Sequence, residues 1–448
     1  MILRRAATAS IAALLSGCSA GTLPPEGQVL LFVDTDALLP DPREAAPDQP
    51  ALFERLRIEI FEPGAMDPCA GCSREFGIDH PTVFEARASV GVVTRPGESG
   101  YRARVRLYRT VGSDIFEPRP TSTLEAVVRL PAVRDEGIVA VHVVLRTDDL
   151  GAPQGTLASP LDASPGPATG GLAGTWAAAA QRDCAGAAGP GEVCVRGGAY
   201  WMGDLTIGES YGSVSSERLV VVSPFYLDAT EVTVGGWRAS GLPTSGNVAP
   251  HSSSDPGCTY TAAPDQFDQH PVNCITRAAS EAYCAKKGAR LPSEAEWEFV
   301  ASARRSAYAV WGNDPAGCGD AVFARSDEPQ AAAVSKECLA LGAGVAPVGS
   351  GVLDRLALDG GTIVDLAGNL TEWVADAWAE QGEPCWSEPV SYDPLCVAEG
   401  APKAYTIRGA NFRHPGSQLR AALRADVDAT GNPFSEVIGF RCARSAAQ

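Results

Sequence analysis

Histidine is scarce: the 448 residues hold five, His80, His142, His251, His270 and His414. None stands in a metal-spaced pair such as H-x-x-x-H, so spacing offers no histidine-built metal motif. Beyond the N-terminus no apolar run is long enough for a membrane-spanning helix. Positive charge is short, with 36 Lys plus Arg against 54 Asp plus Glu and a net charge of −18. Such a surface repels phosphate backbones, so no nucleic-acid partner is expected, whereas cations and good solubility suit it. What is abundant points elsewhere. An apolar fraction of 45% is that of a globular protein, and 47 Gly with 34 Pro forecast many turns and irregular loops. The length exceeds one ordinary core and predicts two to three domains.

The first eighteen residues read as an export address. Arg4 and Arg5 precede the small apolar stretch Ala6 to Leu15, and Leu15-Ser16-Gly17-Cys18 has the form of a lipobox. Cys18 is therefore the expected lipidation site, with the membrane as partner through the acyl anchor. Ser19 is not the aspartate that commonly retains lipoproteins at the inner membrane, so the outer membrane of a Gram-negative envelope is expected.

Export gives the other twelve cysteines their meaning: an even number in an oxidising compartment reads as disulfides. Proximity favours Cys184 with Cys194, Cys258 with Cys274, Cys318 with Cys338, and Cys385 with Cys396. Cys69-Ala70-Gly71-Cys72 is a C-x-x-C. It has no second C-x-x-C to complete a zinc site and no thioredoxin-like surroundings, so a small loop disulfide is expected there.

Residues 19–26 read as a tether. Residues 27–150 alternate with period two, as in Leu56-Arg57-Ile58-Glu59-Ile60 and Tyr101 to Leu107, with Pro, Gly and Asp clusters between. This predicts an antiparallel β-sandwich with no catalytic constellation. Residues 151–182 are rich in Gly, Ala, Ser and Pro and are expected to be a linker. Residues 183–448 form the second domain.

Seven segments of that domain stand in a telling order. They are Gly197-Gly198-Ala199-Tyr200-Trp201-Met202-Gly203, Pro224 to Thr233, Pro271 to Thr276, Arg290 to Phe299, Asp365 to Trp373, Arg408-Gly409-Ala410-Asn411-Phe412, and Gly439-Phe440-Arg441-Cys442. Several make sense on local physics alone. Ser293 with Glu296 three residues later is a capping box, and Gly288 is placed to end a helix over Ala278 to Lys287. Together, in order and spacing, they resemble the sulfatase-modifying factor family, which contains the formylglycine-generating enzymes. The resemblance implies an α+β fold with little regular structure, related to C-type lectins, and a Cys284–Cys442 disulfide.

It also implies two features of function. The family's G-N-x-W-E segment binds calcium. Carried over, Asp365 and Glu372 would give side-chain oxygens and Gly368 and Leu370 backbone carbonyls, a hard donor set that suits that ion. A second calcium site would fall near Asp320 and Ala321, where the companion loop is altered. The family's oxidase holds copper(I) on two cysteines shortly after R-G-G-S. Here Asn411 to Arg420 holds no cysteine and is shorter, so no copper cofactor is expected, because soft thiolates select that ion. Asn411 stands where the family has its active-site serine, His414 near the first missing cysteine, and Arg424 on an A-x-R pattern beside the substrate groove. The histidine-iron centre of the related sulfoxide synthases lacks both its histidine motif and its added domain. Three readings follow. In the first, a non-catalytic domain binds a peptide or glycan on a groove of Asn411, Arg413, His414 and Arg424, or acts as a scaffold. In the second, a copper oxidase recruits Cys385 and Cys396. In the third, both domains form an envelope spacer. The sequence does not indicate an oligomeric state.

Overall fold

The computed structural model describes residues 27–43, 50–85, 89–110, 117–134, 137–204, 215–326, 335–380, 383–431 and 434–446. Cys18 and the tether lie outside them. The chain is a mixed α/β protein: a β-sheet region followed by a domain of short strands, short helices and long irregular loops.

The first unit opens with β1 (Gln28–Thr35), β2 (Arg55–Phe61), β3 (Ser73–Gly77) and α1 (His80–Phe84). It continues with β4 (Ser89–Val93), β5 (Arg102–Tyr108), β6 (Leu124–Arg129) and β7 (Ile138–Leu145), and ends with two-residue strands β8 (Leu161–Asp162) and β9 (Ser164–Pro165). They make two sheets, ordered β4-β1-β7-β9 and β3-β2-β5-β6-β8. The period-two pattern turns Val29, Leu31 and Val33, Ile58 and Ile60, Val105 and Leu107, and Val141 and Val143 into one shared core. On the opposite face of β2 and β5, Glu59 accepts from Arg104 Nε and Arg106 Nη2, both at 2.7 Å.

Two expectations need correcting. The sheets are not purely antiparallel: β1 runs parallel to β7 over eight residue pairs, and β6 parallel to β8. The stretch 151–182 is no free linker. It supplies β8 and β9, and Trp176 is buried, its backbone N–H on the Asp36 carbonyl and its indole N–H on Asp148. Composition hid this because small residues followed by one tryptophan can seal an edge without looking like a core.

The second unit contains β10 (Glu192–Val195), β11 (Gly198–Asp204), β12 (Ser215–Val222), β13 (Phe225–Asp228), α2 (Val234–Ser240), α3 (Arg277–Lys286), α4 (Glu294–Ala301) and α5 (Lys336–Leu339). Strands β14 (Arg355–Leu358), β15 (Gly361–Val364), β16 (Thr371–Ala377), β17 (Val390–Tyr392), β18 (Ala404–Arg408), β19 (Arg424–Asp428), β20 (Ile438–Gly439) and β21 (Ala443–Ser445) complete it. Its central sheet is β19-β18-β16-β20. Helix α4 packs beside it and begins at the capping box: Ser293 Oγ accepts from the Glu296 N–H at 3.1 Å, and Glu296 accepts from the Ser293 N–H at 2.8 Å. Helix α3 stops at Gly288, whose φ of +73° is the left-handed turn that glycine adopts without strain.

Six disulfides join Cys69–Cys72, Cys184–Cys194, Cys258–Cys274, Cys284–Cys442, Cys318–Cys338 and Cys385–Cys396. Among the described residues, no helix is long and apolar enough to cross a membrane.

Candidate functional site

The turn after β18 is built by its own side chains. Gly409 has a φ of +84°, and a Cβ there would meet the Trp297 ring at 2.9 Å, so only glycine lets the chain leave the strand here. Asn411 Nδ2 donates to Thr371 Oγ1 at 3.0 Å, and Asn411 Oδ1 accepts from the Arg413 N–H at 3.0 Å. The Asn411 N–H donates to His414 Nδ1 at 3.0 Å, which leaves the ring proton on Nε2. Burial pulls the His414 pKa down, so the ring is neutral at physiological pH. The Phe412 and His414 carbonyls accept from Arg325 and Ala324, tying the turn to the 322–325 segment. Arg413 pairs with Glu436.

Of the four residues expected to line a groove, three share this turn and one does not. Asn411 is buried, its carboxamide spent on the turn, so it braces the loop rather than facing a ligand. Arg413 and His414 are half-buried. Arg424 belongs elsewhere. It is buried at the start of β19, donates to Glu294 from Nε at 2.6 Å and Nη2 at 3.0 Å, and lies over the Trp378 ring. The A-x-R pattern located the residue but gave no sign that a helix glutamate would claim it.

The second feature is a buried carboxylate cluster. Glu372 accepts from Arg441 Nε at 2.9 and 2.8 Å, from Arg441 Nη2 at 2.7 Å, and from the Trp297 indole at 3.1 Å. Glu231 accepts from Asn369 Nδ2 at 2.8 Å and the Leu370 N–H at 3.0 Å, and Asp365 from the Gly349 N–H at 2.6 Å. Asp354 gathers the N–H groups of Leu366, Ala367 and Gly368, which shapes the loop between Asp365 and Leu370. Asp365 and Asn369 both take left-handed backbone there. Burial, reinforced by Asp365 and then Glu372, pushes the Glu231 pKa well up. Burial and the Asp354 charge push Asp365 up to about 7. The sequence reading missed Glu231, Asp354 and Arg441 as partners. Two of them stand in the quoted segments, at the Glu of E-V-T and the Arg of G-F-R.

A family model described as a sulfatase-modifying factor enzyme 1-like domain matches residues 177–446. The chain belongs to this family. The formylglycine-generating enzyme of Thermomonospora curvata is 27% identical over 304 residues, 56% of this chain and 93% of the relative. That of Streptomyces coelicolor is 29% identical over 254 residues, 54% of this chain and 72% of the relative. Among solved structures, PvdO from Pseudomonas aeruginosa aligns with a TM-score of 0.41 and 23% identity, over 57% of this chain and 94% of that one.

Within the sulfatase-modifying-factor domain every cysteine is in a disulfide, Cys385 and Cys396 with each other, and the turn from Asn411 to Arg420 contains none. The residues present do not fit copper(I): neutral His414 is a lone nitrogen donor with no thiolate beside it. The calcium set fares better. Among the described residues no three acidic, histidine or cysteine side chains converge on one metal position, so a cation would need backbone carbonyls as well. The loop from Asp365 to Leu370 offers those carbonyls, and its donors are all oxygen. Three carboxylates, Glu231, Asp365 and Glu372, interact around Arg441, and burial with mutual repulsion holds Glu231 and Asp365 toward the protonated form; a divalent ion would favour their ionised form. Glu372 fits the set least well, since Arg441 already holds both its oxygens.

Proposed function

We propose that this is an exported envelope protein, anchored through Cys18, whose sulfatase-modifying-factor domain serves in binding or scaffolding rather than in cysteine oxidation. The observation that carries this reading is the commitment of all the domain's cysteines to disulfides, with none in the turn where the family's oxidase keeps its pair. Oxygen activation on copper(I) needs thiolates, and a disulfide offers none. What the turn does offer is the half-buried edge of Arg413 and His414, with neutral His414 holding a proton on Nε2. That combination suits hydrogen bonding to the carbonyls and hydroxyls of a peptide or glycan. The lectin-like relationship of the fold, the two-sheet sandwich character of the first unit and outer-membrane placement belong to the same reading. Calcium would be held by Asp365 and the carbonyls of Gly368 and Leu370, with Glu372 joining only on giving up its pair with Arg441, and would supply a structural charge that rigidifies the loop beside the turn.

The test is direct. The chain is incubated with copper(I), oxygen and a peptide carrying a C-x-P-x-R motif, beside an active formylglycine-generating enzyme, and the peptide is followed by mass spectrometry. No conversion is expected. Formylglycine in the peptide would overturn the reading and make Cys385 and Cys396 the first residues to replace.

A further inference from the structure

The Cys69–Cys72 disulfide differs in kind from the other five. Those staple separate segments, up to Cys284 and Cys442 at a separation of 158. Cys69 and Cys72 are three residues apart and already fastened without their sulfurs. The Cys72 N–H donates to the Cys69 carbonyl at 2.9 Å, closing a turn in which Gly71 takes a φ of +73°. Both ends are also tied to β2, the Cys69 N–H to the Ile60 carbonyl at 3.0 Å and the Ile60 N–H to the Cys72 carbonyl at 3.1 Å. Opening the bond would leave the two sulfurs side by side, so the bridge adds little to the fold, and a short closed loop gains little from being cross-linked. Both half-cystines are partly exposed. Only Cys184–Cys194 shares that property, because Cys274, Cys442, Cys338 and Cys396 are buried.

The pair also has something to act on. It lines a cleft of about 830 Å³ with Ile58, Ile60, Val92 and Val93, and with Arg74 and Arg95. The cleft lies between β3 and β4, each the last strand of its sheet among the described residues, so two sheet edges flank an apolar floor. That combination takes an extended, apolar protein segment, which can add hydrogen bonds to an edge while its side chains fill the floor.

We propose that the first unit is a thiol–disulfide exchange module, in which Cys69–Cys72 oxidises a dithiol in an extended apolar segment of another protein. A thiolate of the segment attacks one sulfur of the pair. The Cys69–Cys72 bond breaks, a mixed disulfide forms, and the other cysteine leaves as thiolate. The segment's second thiolate then attacks the mixed disulfide, closing the segment's own disulfide and releasing the remaining cysteine. Two electrons pass to the pair, and the two protons lost by the segment's thiols end on Cys69 and Cys72. A small-molecule disulfide such as oxidised glutathione restores the bridge.

The oxidised full chain is equilibrated with glutathione buffers, and free thiols are alkylated and mapped by mass spectrometry. Cys69 and Cys72 are expected to open at a reduced-to-oxidised glutathione ratio about tenfold or more below that which opens Cys184–Cys194. An apolar peptide with two reduced cysteines is then offered together with oxidised glutathione. The chain should speed closure of the peptide disulfide, and either Cys69→Ser or Cys72→Ser should trap a covalent adduct with the same peptide once one of its two cysteines is replaced by serine, since no second thiol is then left to resolve the mixed disulfide. Val93→Asp, at an exposed position on the cleft wall, should slow exchange with the peptide several-fold more than exchange with glutathione alone. Opening no easier than Cys184–Cys194 would overturn the proposal, as would folded serine variants that trap nothing. Val93→Asp without effect on the peptide would remove the cleft from it.

Discussion

Trp201 of the second unit donates its indole N–H to the Leu52 carbonyl of the first at 2.8 Å, and its ring meets Phe53 edge to face at 5.7 Å. The strand alternation explains the contact. Tyr200 faces the core of its own domain and donates to the Ala295 carbonyl, whereas Trp201, one residue on, points the other way into the first unit's core. Arg109 lies over the Trp201 ring and pairs with Glu217 at 2.9 Å, closing the rim of the joint.

Trp201→Ala should therefore act on both units. Removing a fully buried aromatic costs about 3–5 kcal/mol, and here the cavity would open at the seam. Calorimetry should replace one cooperative transition with two, the earlier belonging to the first unit. A single transition shifted by less than a few degrees would show that the seam does not couple the units.

How far the sequence reaches can be seen from neighbouring residues. Ser293 and Glu296 declare their helix because a capping box is local, and the structure has both of its hydrogen bonds. The strands at Leu56–Ile60 and Tyr101–Leu107 were legible because alternation is also local. What escaped was long-range. Nothing near Arg424 shows that Glu294 will hold it, and nothing near Asn411 shows that Thr371 will spend its amide. The direction of a strand partner escaped too: alternation in β1 and β7 is the same whether they pair parallel or antiparallel.

Among the described residues Arg441 is the cation that Glu231, Asp365 and Glu372 share, so its loss strands buried charge. Arg441→Met should destabilise the protein by about 3–5 kcal/mol, the cost of breaking a buried pair. Adding Glu372→Gln should recover part of that loss, because one carboxylate then no longer seeks the missing partner. Urea unfolding of the two single variants and the double variant reads this as a coupling energy. Strict additivity would mean that the two residues do not interact.

If calcium occupies the Asp365–Leu370 loop, it stabilises the fold by mass action. At free calcium 100-fold above Kd the gain is about 2.7 kcal/mol. A chelator should lower Tm, calcium but not magnesium should restore it, and Asp365→Ala should abolish the calcium response. Titration calorimetry with no heat, and a Tm indifferent to chelator, would remove the ion from the account.

Asp376 gives the pH dependence its sign. Burial, with the Glu294 charge adding to it, pushes its pKa from 3.8 up to about 7, although its oxygens accept the N–H groups of Glu294 at 2.6 Å and Cys396 at 2.8 Å. The folded state therefore holds a proton that the unfolded chain releases near pH 4. Its stabilising contribution is complete below that pH and is lost progressively as pH rises through about 7, for a total of up to about 4 kcal/mol. Asp376→Asn cannot ionise, so it should flatten the slope of stability against pH between 5 and 8 by up to one proton's worth, while losing one backbone hydrogen bond at every pH. Denaturant unfolding of wild type and variant across that range measures both. Parallel curves would mean that Asp376 has the same proton occupancy folded and unfolded, and that the N–H groups of Glu294 and Cys396 hold it ionised despite its burial.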